Sequence, residues 1–275
     1  MKILSTMHSH STYCDGKNTP LEMVEAAYKL GFVSFGFSGH SHLPYKAGYE
    51  MKMEKEAKYR EDALKIKKEF DGKMEVLLGL ELDSDSVYPD FKYDYLISSV
   101  HQLHVGDNWY AVDHCKEDFN RCLNAFGGIK NMLKEFYSVT ATAALRDNID
   151  IVGHIDLVGK FNETYEYFNP NDEWYLKMVF DCIDTILEKR PDIVFEVNTG
   201  AISRGYRTTP YPDLPILKYL GDKGARIMLN SDTHAADTLD FAYDKAIEHI
   251  KSAGINKIYR LRKDGFEELE VKTSG

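Results

Sequence analysis

Seven short apolar stretches, each closing on a histidine or a carboxylate, constrain this chain more than any other feature of its sequence. "KIL" runs into "MHSHSTYCDG", which offers His8, His10 and Asp15. "VSFGFSGH" ends on His40, "MEVLLGLELD" carries Glu81, and "YDYLISSVHQL" delivers His101. "IDIVGHIDLV" contributes His154, "DIVFEVNTGA" Glu196 and Asn198, and "GARIMLNSDTH" Asp232 and His234. Continuous apolar runs without alternation read as strands buried on both faces, the habit of parallel sheets.

The intervening segments read as helices. "TPLEMVEAAYKLG" has Thr19 as N-cap, Pro20 in the first turn, Glu22 completing a capping box and Gly31 as the stop. A charged helix over "YEMKMEKEAKYREDALKIKKEF" has apolar positions at Ala57, Leu64 and Phe70 and a solvated remainder. Lys116 to Asn148 is helical with a break at Gly127 and Gly128, and "DEWYLKMVFDCIDTILEKR" is an amphipathic helix stopped before Pro191. "FAYDKAIEHIKSAG" and a last short strand near "KIYRLR" close the chain. Strands alternating with helices along an uninterrupted chain predict one α/β domain of barrel type over residues 1–275.

Composition narrows the function classes. A formal net charge of -10 argues against a nucleic-acid surface built on phosphate neutralisation, though a metal site can still reverse the local potential for a small anion. Cys14, Cys115, Cys122 and Cys182 show no C-x-x-C spacing, which fits a reduced, cytoplasmic protein. "MKILSTMHSH" turns polar too early for a signal peptide, and no apolar run approaches the roughly 18–20 residues of a membrane span. Oligomeric state is not legible.

In (β/α) barrels the C-terminal strand ends converge on one rim, where the chemistry is placed. His8, His10, Asp15, His40, Glu81, His101, His154, Asp232 and His234 therefore read as one cluster of metal ligands. At three to four protein ligands per open ion, this set implies two or three divalent ions with Glu81 as a bridge. The excess of imidazole over carboxylate suits Zn, Fe or Mn better than Mg or Ca.

In order, "HSHSTYCDG", "GFSGH", "GLELD", "SVHQL", "GHIDLV" and "NSDTH" resemble the metal-binding motifs of the polymerase and histidinol phosphatase (PHP) superfamily. "SVHQL…NWYAVD" and "EVNTGAISRGYRTTPYP" resemble its histidinol-phosphatase branch. The resemblance spans nearly the whole chain and implies a distorted (β/α)7 TIM-like barrel with a trinuclear centre. It implies His8, His10, Glu81 and Asp232 on one ion; Glu81, His101 and His154 on a second; and Asp15, His40 and His234 on a third. Asp15 stands where several relatives carry histidine.

The expected chemistry is hydrolysis of a small phosphate monoester by in-line attack of a hydroxide held between the first two ions, with Asp232 or His234 orienting it. A protonated His42 or a metal-bound water is the candidate proton donor to the leaving oxygen. Arg204 or Arg207, with Lys160, would cover phosphoryl oxygens; Arg204 is favoured, and Arg204→Met is expected to cut turnover without releasing metal. Asp83, Glu196, Trp109 and Tyr206 are candidates for holding the cationic part of L-histidinol phosphate. His104, His114 and His249 fall outside the strand-end register. Phosphotyrosine protein or nucleotide substrates form the alternative enzyme reading, and a non-catalytic accessory domain is the third.

Overall fold

The computed structural model describes residues 4–271. The strands are β1 (Ser5–Thr6), β2 (Ser34–Phe37), β3 (Glu75–Asp83), β4 (Tyr95–Ser99), β5 (Gln102–Val105), β6 (Asn108–Ala111), β7 (Ile151–Val152), β8 (Val194–Asn198), β9 (Arg226–Asn230), β10 (Lys257–Arg262) and β11 (Gly265–Glu270). The α-helices are α1 (Pro20–Leu30), α2 (Met53–Glu69), α3 (Lys116–Ala125), α4 (Ile129–Ala144), α5 (Asn162–Tyr165), α6 (Glu173–Lys189), α7 (Gly200–Ser203), α8 (Leu214–Asp222) and α9 (Tyr243–Ser252).

Nine strands form one sheet in the order β1-β2-β3-β4-β7-β8-β9-β10-β11, parallel throughout except for the β10–β11 hairpin. The sheet curls until the exit of β1 meets that of β9. A parallel bridge joins Ser9 to Thr233, and the His10 amide donates to the Thr233 carbonyl at 2.8 Å. The result is a distorted barrel of seven parallel strands with β10 wedged at its base, where the Ser34 hydroxyl donates to the Leu261 carbonyl. Met7, Leu77, Tyr95, Ile97, Ile151, Val194, Met228 and Leu261 fill the interior, while a larger apolar layer joins the sheet to the helices.

Local sequence explains most of these elements. Both arms of the Thr19–Glu22 capping box are present, and Gly31 ends α1 at a left-handed φ of 82°. Several segments differ from expectation. The first strand, read at "KIL", lies mostly outside the described residues, and pairing is seen at Ser5–Thr6. Helix α2 buries Tyr59, Ala63, Ile66 and the adjoining Phe70, whereas Ala57 and Leu64 face solvent. Tyr59 decides that rotation, because its hydroxyl donates to the Gly79 carbonyl inside the barrel wall. "QLHVGDNWYA", to which the sequence reading gave no element, is a β-hairpin, and β11 extends the sheet edge beyond "KIYRLR". Among the described residues no helix is long and apolar enough to cross a membrane.

Candidate metal centre

The nine strand-end side chains meet on the barrel rim around one carboxylate. Glu81, buried at the end of β3, has His8 Nε2 and His154 Nε2 each 3.2 Å and His101 Nε2 3.5 Å from Oε1. On its other oxygen, His40 Nδ1 stands at 2.9 Å and His10 Nε2 at 3.6 Å. Asp232 Oδ1 lies 3.2 Å from His10 Nε2, and Asp15 Oδ2 lies 3.2 Å from His234 Nε2. Donor atoms fall into mutually close sets: His10, Asp15, His40 and His234; His8, His10 and Asp232; His8, Glu81 and His154; and His40, Glu81 and His101. The third-ion set expected from sequence is thus assembled. His101 and His154 both approach Glu81 Oε1, the atoms of the expected second-ion set, and each also falls in a donor set with another histidine, His40 and His8 respectively.

The chemistry of these atoms fits cations. His8 Nε2, His10 Nε2 and Glu81 Oε2 are shut off from solvent with no hydrogen-bond partner among the described residues. Buried lone pairs left unpaired are costly, and a divalent ion is what such a nitrogen and oxygen set satisfies. Burial, reinforced by His234 and His40, pushes the His10 pKa down to about 3, so its ring is neutral and ready to ligate. Burial opposes charge on His8 as well, but Glu196, Glu81 and Asp232 outweigh it and raise its pKa well above the ordinary value. His101 behaves alike: burial is outweighed by Glu81 and Asp83, and its pKa is pushed up to about 10. Without cations, His8 and His101 take up protons to balance the carboxylates.

A second layer of groups aims the ligands. Glu196 Oε1 accepts from His8 Nδ1 at 2.8 Å, which turns His8 Nε2 toward the centre, and Glu196 Oε2 accepts from the His154 amide at 2.9 Å. Asp83 Oδ2 accepts from His101 Nδ1 at 3.0 Å and from the Tyr49 hydroxyl at 2.6 Å. Glu196 and Asp83 are therefore committed to the ligands rather than free for a cationic substrate. Their alternation with Glu81 and Asn198 along buried strands was the available signal. Asp232 adopts a left-handed φ of 46°, unusual for a non-glycine residue and of the kind concentrated at functional sites.

Arg204 reaches this rim. It donates to the Asp232 carbonyl at 3.0 Å, to Asp232 Oδ2 at 3.1 Å and to His234 Nδ1 at 2.9 Å. Arg207 does not. Beyond Gly205, at a φ of 75°, the chain reverses and carries its guanidinium to Asp213 and Glu163, with the Tyr211 ring beneath it. Lys160 Nζ is tied to the Asp113 carbonyl at 2.6 Å and its carboxylate at 3.2 Å. Burial is the largest influence on Asp113, but Lys160 and His101 hold its carboxyl below the usual range.

His42 joins none of the donor sets, and beside it the Ser41 hydroxyl is bound to that of Ser86. Trp109 is 41% exposed on β6 and stacks on Tyr45, and Tyr206 lies against Lys160. His104 and His114 are exposed, and His249 bonds the Pro212 carbonyl from α9, all outside the central donor sets.

Residues 6–200 match the PHP domain family. This chain is a member of the PHP domain family. Asp232 and His234 lie beyond the matched segment, yet β9 returns them to the same rim. The PHP chain is 27% identical over 267 residues to a probable histidinol-phosphatase of Deinococcus radiodurans, covering 91% of this chain and 94% of that one. It is 26% identical over 265 residues to the histidinol-phosphatase of Bacillus subtilis, covering 88% and 97%. Among solved structures it is similar to a putative histidinol phosphatase of Listeria monocytogenes (TM-score 0.76, 18% identity, 87% of this chain and 98% of that one). It is also similar to the histidinol phosphate phosphatase of Lactococcus lactis, crystallised with Zn, L-histidinol and phosphate (TM-score 0.71, 20% identity, 96% and 99%). These structural likenesses support the PHP barrel fold.

Proposed function

We propose that this chain is a metal-dependent phosphomonoesterase that hydrolyses L-histidinol phosphate to L-histidinol and inorganic phosphate. The observation that carries the reaction class is the convergence of five histidines on the two oxygens of Glu81 beside Arg204. The substrate follows from near full-length similarity to histidinol-phosphatases. Two or three divalent ions of the Zn, Fe or Mn class, when bound by the nine donors, acidify water and neutralise phosphoryl charge.

The chain's own groups do the rest. Glu196 and Asp83 fix the His8 and His101 rings so that one nitrogen of each faces inward. In this reading Arg204 presents its guanidinium to equatorial phosphoryl oxygens while anchoring Asp232 and His234, and Lys160 approaches from the Asp113 side. Water adds to phosphorus, the phosphorus–oxygen bond to histidinol breaks, and the alcohol leaves with a proton. We take residues 1–275 as one such unit, cytoplasmic and acting on a small molecule without a nucleic-acid partner.

The test is phosphate release from L-histidinol phosphate, p-nitrophenyl phosphate, AMP and a phosphotyrosine peptide, with metal content measured on the same sample. A strong preference for histidinol phosphate with at least two ions per chain is expected. Preference for the peptide or AMP would transfer the chain to the alternative substrate class, and fewer than two ions in active protein would overturn the cluster.

A further inference from the structure

Tyr211 is fully buried and its hydroxyl has no hydrogen-bond partner among the described residues. Its backbone is fixed, since its amide and carbonyl both pair with Asn198 at the end of β8, at 3.0 and 2.9 Å. Its ring is fixed too, edge-on to His154 with centroids 6.4 Å apart and covered on a face by the Arg207 guanidinium at 4.5 Å. The hydroxyl feels Arg207, Asp156, Asp113 and Arg204. The ring therefore stands beside a ligand histidine, on a segment paired with the end of β8.

A buried donor left unsatisfied is rare and destabilising, and in a native protein it calls for a partner. Among the other orphaned atoms, His8 Nε2, His10 Nε2 and Glu81 Oε2 belong to the donor sets, while His154 Nδ1, Asp156 Oδ1, Thr199 Oγ1 and Arg207 Nε are left unpaired on residues beyond or behind them. A phenol is a poor cation ligand unless ionised, and an ordinary phenol carries its proton at neutral pH. Its hydroxyl stays a proton donor, so the missing partner is an acceptor. We propose that Tyr211 is a further substrate-binding residue, its phenolic hydroxyl donating a hydrogen bond to the phosphoryl group beside His154. Arg204 already donates to Asp232 and His234 and Lys160 to Asp113, whereas this donor is uncommitted. The inference rests on the phosphomonoesterase reading.

Tyr211→Phe removes the hydroxyl and leaves the ring packed on His154 and Arg207. Two measurements on metal-loaded protein test it: inorganic phosphate affinity by calorimetry, and kcat/KM for L-histidinol phosphate. Loss of a hydrogen bond to a charged acceptor predicts both to fall about 10- to 100-fold, with metal content and melting temperature at wild-type values. Wild-type phosphate affinity in Tyr211→Phe would overturn the proposal. So would a melting temperature several degrees lower or a loss of metal, since either would mean the hydroxyl serves the fold. If wild-type protein binds phosphate but releases none from histidinol phosphate, the functional reading fails while the phosphate arm still judges Tyr211.

Discussion

Glu196 grips His8 through Nδ1 at 2.8 Å and, through its second oxygen, the backbone amide of His154 at 2.9 Å. One buried carboxylate at the end of β8 thus orients two ligands from other strands. Asn198 and Asn230 each donate to it at 2.9 Å, so it cannot rotate away. Partners behind metal-bound histidines typically alter affinity 10- to 100-fold when removed. Glu196→Gln is expected to keep the fold and lower metal affinity by about that factor, measured by competition with a chromophoric chelator. Unchanged affinity would mean that His8 is held well enough by packing alone.

Gly200 opens α7 directly under Asp232 and Arg204. A Cβ there would sit 2.7 Å from Asp232 Oδ2 and 3.0 Å from an Arg204 terminal nitrogen. Neither group can retreat freely, because each is bonded to the other and Arg204 also to His234. Gly200→Ala should lower kcat/KM by at least about tenfold and also weaken metal retention, since a misplacement of about 1 Å near reacting groups has effects of this size or larger. The same coupling revises the expectation for Arg204→Met. Loss of this guanidinium should release metal from the Asp15, His40 and His234 side as well as slow turnover. Elemental analysis beside kinetics decides this; full metal content in a slow Arg204→Met variant would restore the simpler view.

How far the sequence reveals this protein depends on the scale of the signal. Apolar runs ending in His8, Glu81 or Asp232 encode both a buried parallel strand and its functional tip, because period and burial are local properties. Thr19 and Gly31 are legible for the same reason. Arg204 and Arg207, three residues apart in one loop, are not distinguished by composition; the turn at Gly205 sends one to Asp232 and the other to Asp213. The α2 face follows Tyr59, whose partner Gly79 is 20 residues away. Glu196 and Asp83 look like substrate carboxylates until the tautomers of His8 and His101 need them. The β5–β6 hairpin did carry a signal, the Gly106–Asp107 pair between two apolar-rich arms.

Proton exchange with the cations gives a pH signature. Burial opposes charge on His8, His40 and His101, yet the carboxylates Glu196, Glu81, Asp15 and Asp83 raise all three pKa values, that of His101 to about 10. A raised folded-state pKa stabilises the metal-free protein below about 6.5, the free imidazole value, and that contribution is lost as pH rises through about 10 for His101. Each imidazole must shed its proton before it binds a cation. Apparent metal affinity should therefore climb between about pH 7 and 10 while the metal-free protein loses stability. Loading at pH 7 should release protons, seen as a binding heat that changes with the ionisation enthalpy of the buffer. A buffer-independent heat would show the rings already neutral.

Tyr95 spans the barrel interior, the single proton of its hydroxyl shared between the carbonyls of Met7 at 2.6 Å and Phe37 at 2.8 Å. Two glycines make room for it, each in a different way. A Cβ on Gly79 would penetrate the ring, approaching two of its carbons at 2.6 Å, whereas a Cβ on Gly36 would press first on the hydroxyl and then, at 2.8 Å, on the Met7 sulfur. Overpacking a closed interior costs typically about 1–3 kcal/mol, so both alanine variants should melt several degrees lower. Adding Tyr95→Phe should recover part of the loss for Gly36→Ala, where the hydroxyl is the obstacle, and none for Gly79→Ala, where the ring remains. Thermal melts of the four variants on metal-loaded protein separate the cases. Equal rescue of both would mean that Tyr95 does not lie across the barrel in this orientation.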